Sequence, residues 1–196
     1  MKRNVLLLLV FQLLTAFGLQ AQETIRLGII GLDTSHSEAF IKLINGENQA
    51  PDYVGFKIVA AYPYGSQTIE SSYNRIPKYT ETAKSHGIQI TSSIAELLKQ
   101  VDCVLLETND GTLHPEQATE VIKSGKSLFI DKPVAARLSD VLAIYKLAEE
   151  KQVPIFSSSA LRFSPRNSEL RNGNGPEGKV VGADCYSPCT NEPSHA

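Results

Sequence analysis

From Glu23 onwards the chain alternates short β-branched apolar runs with stretches of helical periodicity, and no other feature constrains its fold as much. Strands separated by helices cannot pair as hairpins, so they assemble into a parallel sheet whose faces are covered by the crossover helices. Thr24 to Gly31 reads as the first strand, and Ser37 to Asn45 as a helix with Ala39, Phe40, Leu43 and Ile44 on one face. Phe56 to Ala61 is a second strand. Tyr73 to His86 is a polar helix stopped by Gly87, after which Ile88 to Ile90 forms a short third strand. Ser93 and Glu96 have capping-box spacing and open a brief helix to Gln100.

Asp102 to Thr108 is the fourth strand, apolar from Cys103 to Leu106, and is expected to lie centrally with both faces covered. His114-Pro115 opens the next helix and Gly125 closes it. Ser127 to Ile130, an amphipathic helix over Ser139 to Lys151 and a strand over Pro154 to Ser158 complete the pattern. With right-handed crossovers the expected fold is α/β, a Rossmann-type doubly wound parallel sheet spanning 22–160.

Both ends are expected to differ from this body. Met1-Lys2-Arg3, the apolar run Val5 to Leu19 and the small residue Ala21 have the layout of a signal peptide over 1–21, which predicts an exported, periplasmic or secreted protein with no stable membrane association after cleavage. Over 161–196, Asn172 to Pro176 reads as a turn-rich linker and Lys179 to Tyr186 as a single new strand. One strand cannot make a domain, so this segment is expected to be the start of a truncated α+β domain. Cys103 reads as a small buried apolar residue, while Cys185 and Cys189 leave a local disulfide open. Nineteen Lys and Arg against 21 Asp and Glu, with no run of five like charges, exclude a nucleic-acid groove and leave a small molecule as the expected partner.

In a doubly wound sheet, ligands bind outside the carboxyl ends of the strands. Those positions hold Gly31, Asp33, Thr34, Ser35 and His36 after the first strand and Tyr62-Pro63-Tyr64 after the second. Glu107, Thr108, Asn109 and His114 follow the fourth, and Asp131-Lys132-Pro133 the fifth. Ile25 to Gly31, Glu107-Thr108-Asn109 with His114, and above all Gly125 to Pro133 resemble the glucose-fructose oxidoreductase, inositol dehydrogenase and MocA family over about residues 24 to 186. The resemblance implies an NAD- or NADP-binding domain followed by a larger domain that binds a sugar or polyol and often makes a homo-oligomer. It places Lys132 at the cofactor and substrate, with Asp131 in place of the family's Glu, and His114 at the edge of the nicotinamide side. Lys132 is accordingly the expected catalytic residue. A lysine at a sheet's carboxyl edge can bind a substrate hydroxyl and shift its proton affinity while hydride leaves the same carbon.

The phosphate loop departs from that family. Aligned on Gly31, the second and third fingerprint glycines are replaced by Asp33 and His36. A carboxylate about 5 Å from a phosphate charge costs roughly 3 kcal/mol at an effective dielectric of 20. A pairing of His36 with Asp33 would relieve part of this, while Thr34 and Ser35 remain donors for a phosphate at the helix N-terminus. Three readings follow. The first is an NAD(P)-dependent oxidoreductase using Gly31, Asp33, Thr34, Ser35, His36, Thr108, Asn109, His114, Asp131 and Lys132. The second is a cofactor-free carbohydrate-binding protein. The third is a metal-assisted hydrolase, which needs Asp33, His36, Glu107, His114 and Asp131 to converge on one ion.

Overall fold

The computed structural model describes residues 24–173 together with Val181, Gly182, Asp184 and Tyr186. The expected signal peptide, the Cys185 and Cys189 pair and most of the expected strand over Lys179 to Tyr186 lie outside these residues.

Six parallel strands form one sheet in the order β3-β2-β1-β4-β5-β6. They are β1 Ile25–Ile30, β2 Phe56–Tyr62, β3 Gln89–Ile90, β4 Cys103–Leu106, β5 Ser127–Asp131 and β6 Ile155–Ser158. The strand order reverses between β1 and β4, which opens the crevice in which such sheets bind ligands. The helices are α1 Ser35–Asn45, α2 Glu70–Tyr73, α3 Ile76–Ser85, α4 Ile94–Leu98, α5 His114–Lys123, α6 Leu138–Lys151 and α7 Pro165–Arg171. The expected helix over Tyr73 to His86 is α3, which starts later, at Ile76, and carries Pro77 in its first turn, where the missing N–H breaks no hydrogen bond, while the short α2 precedes it. A 3-10 turn at Ala160–Phe163 and α7 had no counterpart in the sequence pattern.

The alternation of side chains along each strand builds two cores. Ile30, Val104, Leu106, Leu128 and Ile130 face Leu97, Val121, Ile122 and Ile144 of α4, α5 and α6. Leu27, Ile29 and Ile58 face Ile41 and Ile44 of α1 and Tyr79 and Ala83 of α3. The buried positions of α1 are therefore Ser37, Ile41 and Ile44, one helical stripe, and not the expected Ala39, Phe40 and Leu43. Those three line a second surface. Leu105 and Phe129 on the same face of the sheet are only half-buried and Phe156 is 63% exposed. The fourth strand is thus central in order but not covered equally on both faces. Phe40 meets Phe129 edge-on at 5.9 Å, and Phe129 meets Phe156 at 5.1 Å. A cleft of about 890 Å³ opens here, and His36 and Asp131 lie on its wall.

Local capping follows the sequence with one change of partner. Ser93 Oγ accepts the Glu96 N–H as expected, but Glu96 reaches Ser92, accepting from its N–H at 2.8 Å and its hydroxyl at 2.9 Å. At the opposite, amino edge of the sheet, Asp102 accepts from the Arg26 backbone N–H and from its guanidinium, with a shortest contact of 2.7 Å.

Gly31 has φ +88°, and a Cβ there would lie 2.5 Å from the Thr108 backbone nitrogen. Gly31→Ala is expected to lose roughly 3 kcal/mol in urea unfolding, combining left-handed strain with a backbone clash. The Arg26 guanidinium and N–H hold the Asp102 carboxyl down, from 3.8 to about 2. A lowered carboxylate contributes stability above its unfolded value and loses it as pH falls through its folded value. Asp102→Asn should therefore lower stability modestly at neutral pH, the pair being exposed, and its difference from the parent chain in urea unfolding should close as pH falls from 3.8 to about 2.

Candidate functional site

Three loops meet over the switch point, and one buried carboxylate joins them. The turn after β1 carries Asp33, which is fully buried. Its Oδ2 accepts the Ser66 N–H at 2.9 Å, and its Oδ1 accepts the Asn109 N–H at 3.1 Å. Ser66 belongs to the loop after β2 and Asn109 to the loop after β4, so Asp33 is the knot between them. Ser66 also donates its hydroxyl to Asp110 at 3.2 Å, and Asn109 donates its amide to Ser72 at 2.7 Å. Burial raises the Asp33 carboxyl above its ordinary value, while the Ser66 and Asn109 N–H groups pull it back. Gly65 is packed so tightly that a Cβ there would overlap the Asp33 carboxylate.

This geometry corrects the expected pairing of His36 with Asp33. His36 turns to the other side, where its Nδ1 lies 2.6 Å from Asp131 Oδ2. The other Asp131 oxygen accepts the Lys132 N–H at 2.8 Å. Lys132 itself is exposed, and its peptide bond to Pro133 is cis. Thr34 caps α1, its Oγ1 accepting the His36 N–H at 2.9 Å, and Ser35 is the exposed first residue of that helix.

His114 is buried, with Nε2 2.7 Å from the Thr108 carbonyl and Nδ1 3.0 Å from the Val134 carbonyl. Both ring nitrogens thus face backbone oxygens and tie the loop after β4 to the loop after β5. The capping position of α5 is Leu113, so the imidazole is not the helix cap. Glu107, at the end of β4, is fully buried, and among the described residues neither of its oxygens has a hydrogen-bond partner. Burial pushes its carboxyl well above the usual range, the Asp131 charge adds to this, and Lys132 opposes it.

Of the five residues the metal reading required, three converge. His36, Glu107 and Asp131 offer ligand atoms within 4.8 Å of one another. Asp33 and His114 are drawn away by their own backbone partners. Residues the sequence did not single out, Gly65, Ser66 and Ser72, complete the site from the β2 side. Their loop has no periodicity, and only the buried carboxylate across the crevice reveals their role.

The fit of a dinucleotide can be judged from these contacts. Gly31 supplies the sharp turn, and at the N-terminus of α1 Ser35 is exposed as a phosphate donor, whereas Thr34 is buried and its oxygen accepts the His36 N–H. The Asp33 carboxylate, which would repel a phosphate there, is turned inward and held by two N–H groups. At the adjoining sheet edge, Tyr62 and Tyr64 stack at 5.9 Å beside a cavity of about 250 Å³ that Glu116 and Glu120 also line. Gly31 and Ser35 therefore fit the group, and the two N–H donors offset part of the Asp33 charge, while Gly65 lies directly over the Asp33 carboxylate.

The profile of the oxidoreductase family with an NAD-binding Rossmann fold, GFO_IDH_MocA, matches residues 25–159. An uncharacterized oxidoreductase of Synechocystis is 28% identical over 107 residues, covering 53% of this chain and 29% of the relative. Among solved structures, the WlbA dehydrogenase of Bordetella pertussis, in complex with NADH and UDP-GlcNAcA, is 25% identical with a TM-score of 0.62, covering 77% of this chain and 42% of that one. The dehydrogenase MviM of Clostridium difficile is 22% identical with a TM-score of 0.59, covering 76% and 44%. The chain spans less than half the length of each of these relatives.

Asp33→Ala strands two N–H groups at the knot and should cost roughly 3 kcal/mol in urea unfolding. Asp33→Asn keeps the shape and one acceptor and should recover about half of that loss.

Proposed function

The chain belongs to the Gfo/Idh/MocA oxidoreductase family, and from that premise we propose that it binds NAD and serves hydride transfer at a hydroxyl-bearing carbon of a sugar or polyol. The observation that carries this reading is the inward turn of Asp33, which leaves the N-terminus of α1 open to a phosphate. Gly31, Thr34 and Ser35 would hold the pyrophosphate, and Thr108, Asn109, Asp131 and Lys132 border the nicotinamide side. NAD is favoured over NADP because the cavity beside Tyr62 and Tyr64 is lined by Glu116 and Glu120 and by no Lys or Arg. A 2′-phosphate would meet negative charge there, whereas a ribose hydroxyl finds acceptors.

Bound nicotinamide supplies the hydride acceptor. The chain's own part is proton handling. Lys132, exposed at the carboxyl edge of β5, exchanges a proton with the substrate hydroxyl. Asp131 orients the start of that lysine by accepting its N–H, and His36 holds Asp131 from the other side. The partly open aromatic wall of half-buried Phe40 and Phe129 with exposed Phe156 is apolar surface for the ring face of a sugar. A homo-oligomer and a sugar-binding second domain belong to the same proposal, by analogy with the family.

One observation favours a second reading, a cofactor-free carbohydrate-binding protein. Gly65 and Ser66 sit directly on Asp33, so the loop after β2 covers the position of the second fingerprint glycine.

Calorimetric titration of the full chain with NAD+, NADH, NADP+ and NADPH separates the two. Micromolar binding of NAD+ and NADH, at least roughly tenfold tighter than their phosphorylated counterparts, is expected. Binding that appears only in Asp33→Gly would favour the second reading. In a turnover assay, Lys132→Ala should lower kcat by about a thousandfold and leave NAD+ affinity nearly unchanged.

A further inference from the structure

Glu107 is used by neither the fold nor the proposed proton handling, yet the chain buries it completely. A carboxyl buried only for packing is ordinarily hydrogen-bonded, since an unpaired buried polar group is costly in either protonation state. Among the described residues both Glu107 oxygens lack a hydrogen-bond partner. Asp33, equally buried, receives two N–H groups, so the carboxyl edge of the sheet satisfies one carboxylate and leaves the other open.

What Glu107 faces supplies the reason. Its ligand atom lies within 4.8 Å of those of His36 and Asp131, one imidazole and a second carboxylate. Two carboxylates side by side repel one another, and a cation between them reverses the sign of that interaction. The three residues come from three separate elements: α1, the end of β4 and the end of β5. The group is therefore a product of the sheet's carboxyl edge and not of a local acidic run. His36 and Asp131 also line the 890 Å³ cleft, which gives an ion a route in and leaves coordination positions open to solvent or substrate.

We propose that His36, Glu107 and Asp131 form a binding site for one divalent cation of the Mn2+ or Zn2+ type. One nitrogen and two carboxylate oxygens suit first-row divalent ions and are too few for a closed structural site. Bonds of about 2.1 Å place neighbouring ligand atoms about 3.0 to 3.5 Å apart. His36 and Asp131, at 2.6 Å, open slightly to admit the ion, and Glu107 draws in. Lys132, whose charge reaches Glu107, stands beside the site.

The test uses the full chain, stripped with chelator and free of nucleotide, titrated with Mn2+ by calorimetry and followed by the Mn2+ electron paramagnetic resonance signal. Mn2+ is the probe because it discriminates against thiols such as Cys103. The expected result is one ion per chain, with Glu107→Gln and His36→Asn each weakening binding by roughly a hundredfold. Circular dichroism checks folding. Should Glu107→Gln fail to fold, His36→Asn decides alone, because its ring is half-exposed and bears no core packing. The absence of saturable binding of one ion, or a folded variant that binds Mn2+ as tightly as the parent chain, overturns the proposal. Because no nucleotide is present, that failure leaves the dinucleotide reading untouched.

Discussion

The carboxylate of Asp33 is the interaction on which the arrangement at the switch point depends. A doubly wound sheet delivers loops to its carboxyl edge without fixing how they lie against one another. Here one buried acid accepts an N–H from each of two loops that follow β2 and β4, 33 and 76 residues away in sequence. Its burial is costly, as the raised proton affinity of the group records, and the two N–H bonds offset that cost. Everything placed relative to those loops inherits their position: the turn at Gly31, the N-terminus of α1, and the His114 tie between the loops of β4 and β5.

Around this knot the polar groups divide by how they are satisfied. Asp33 and His114 have both of their polar ends occupied by backbone groups, so they hold structure. Asp131 is shared between His36 and the Lys132 N–H and stands between structure and chemistry. Glu107 has no hydrogen-bond partner among the described residues, and Lys132 is exposed. In a fold whose functions differ while its architecture persists, this division is a better guide to chemistry than the architecture itself.

The two faces of the sheet are unequal for a topological reason. Helices α4, α5 and α6 follow β3, β4 and β5 and pack over one face, building the larger core. On the other face α1 and α3 cover the half nearer β1, β2 and β3. Leu105, Phe129 and Phe156 therefore form a partly open apolar wall, and the neighbouring stripe of α1, Ala39, Phe40 and Leu43, lines the same cleft, with Phe40 and Leu105 also packed against the core on this face. The helical periodicity of α1 is compatible with either stripe, so of the expected face Ala39, Phe40, Leu43 and Ile44 only Ile44 is buried and Phe40 is partly so.

Element type and order were legible from the sequence because both are local: period two against period 3.6, glycine at helix ends, serine at an N-cap. Gly125 to Pro133 likewise pointed to the family, and Gly31 to its turn. What the sequence could not carry was which side chain meets which. His36 and Asp33 are three residues apart and invite pairing, yet the rotation of α1 directs the imidazole to Asp131, 95 residues on. The loop holding Gly65 and Ser66 carries no periodic signal, and it becomes part of the site only because a buried carboxylate must find donors. The convergence of His36, Glu107 and Asp131 has the same origin. Periodicity reports the few residues on either side of a position, whereas burial makes polar groups seek partners across the whole fold, and only the folded chain decides which are within reach.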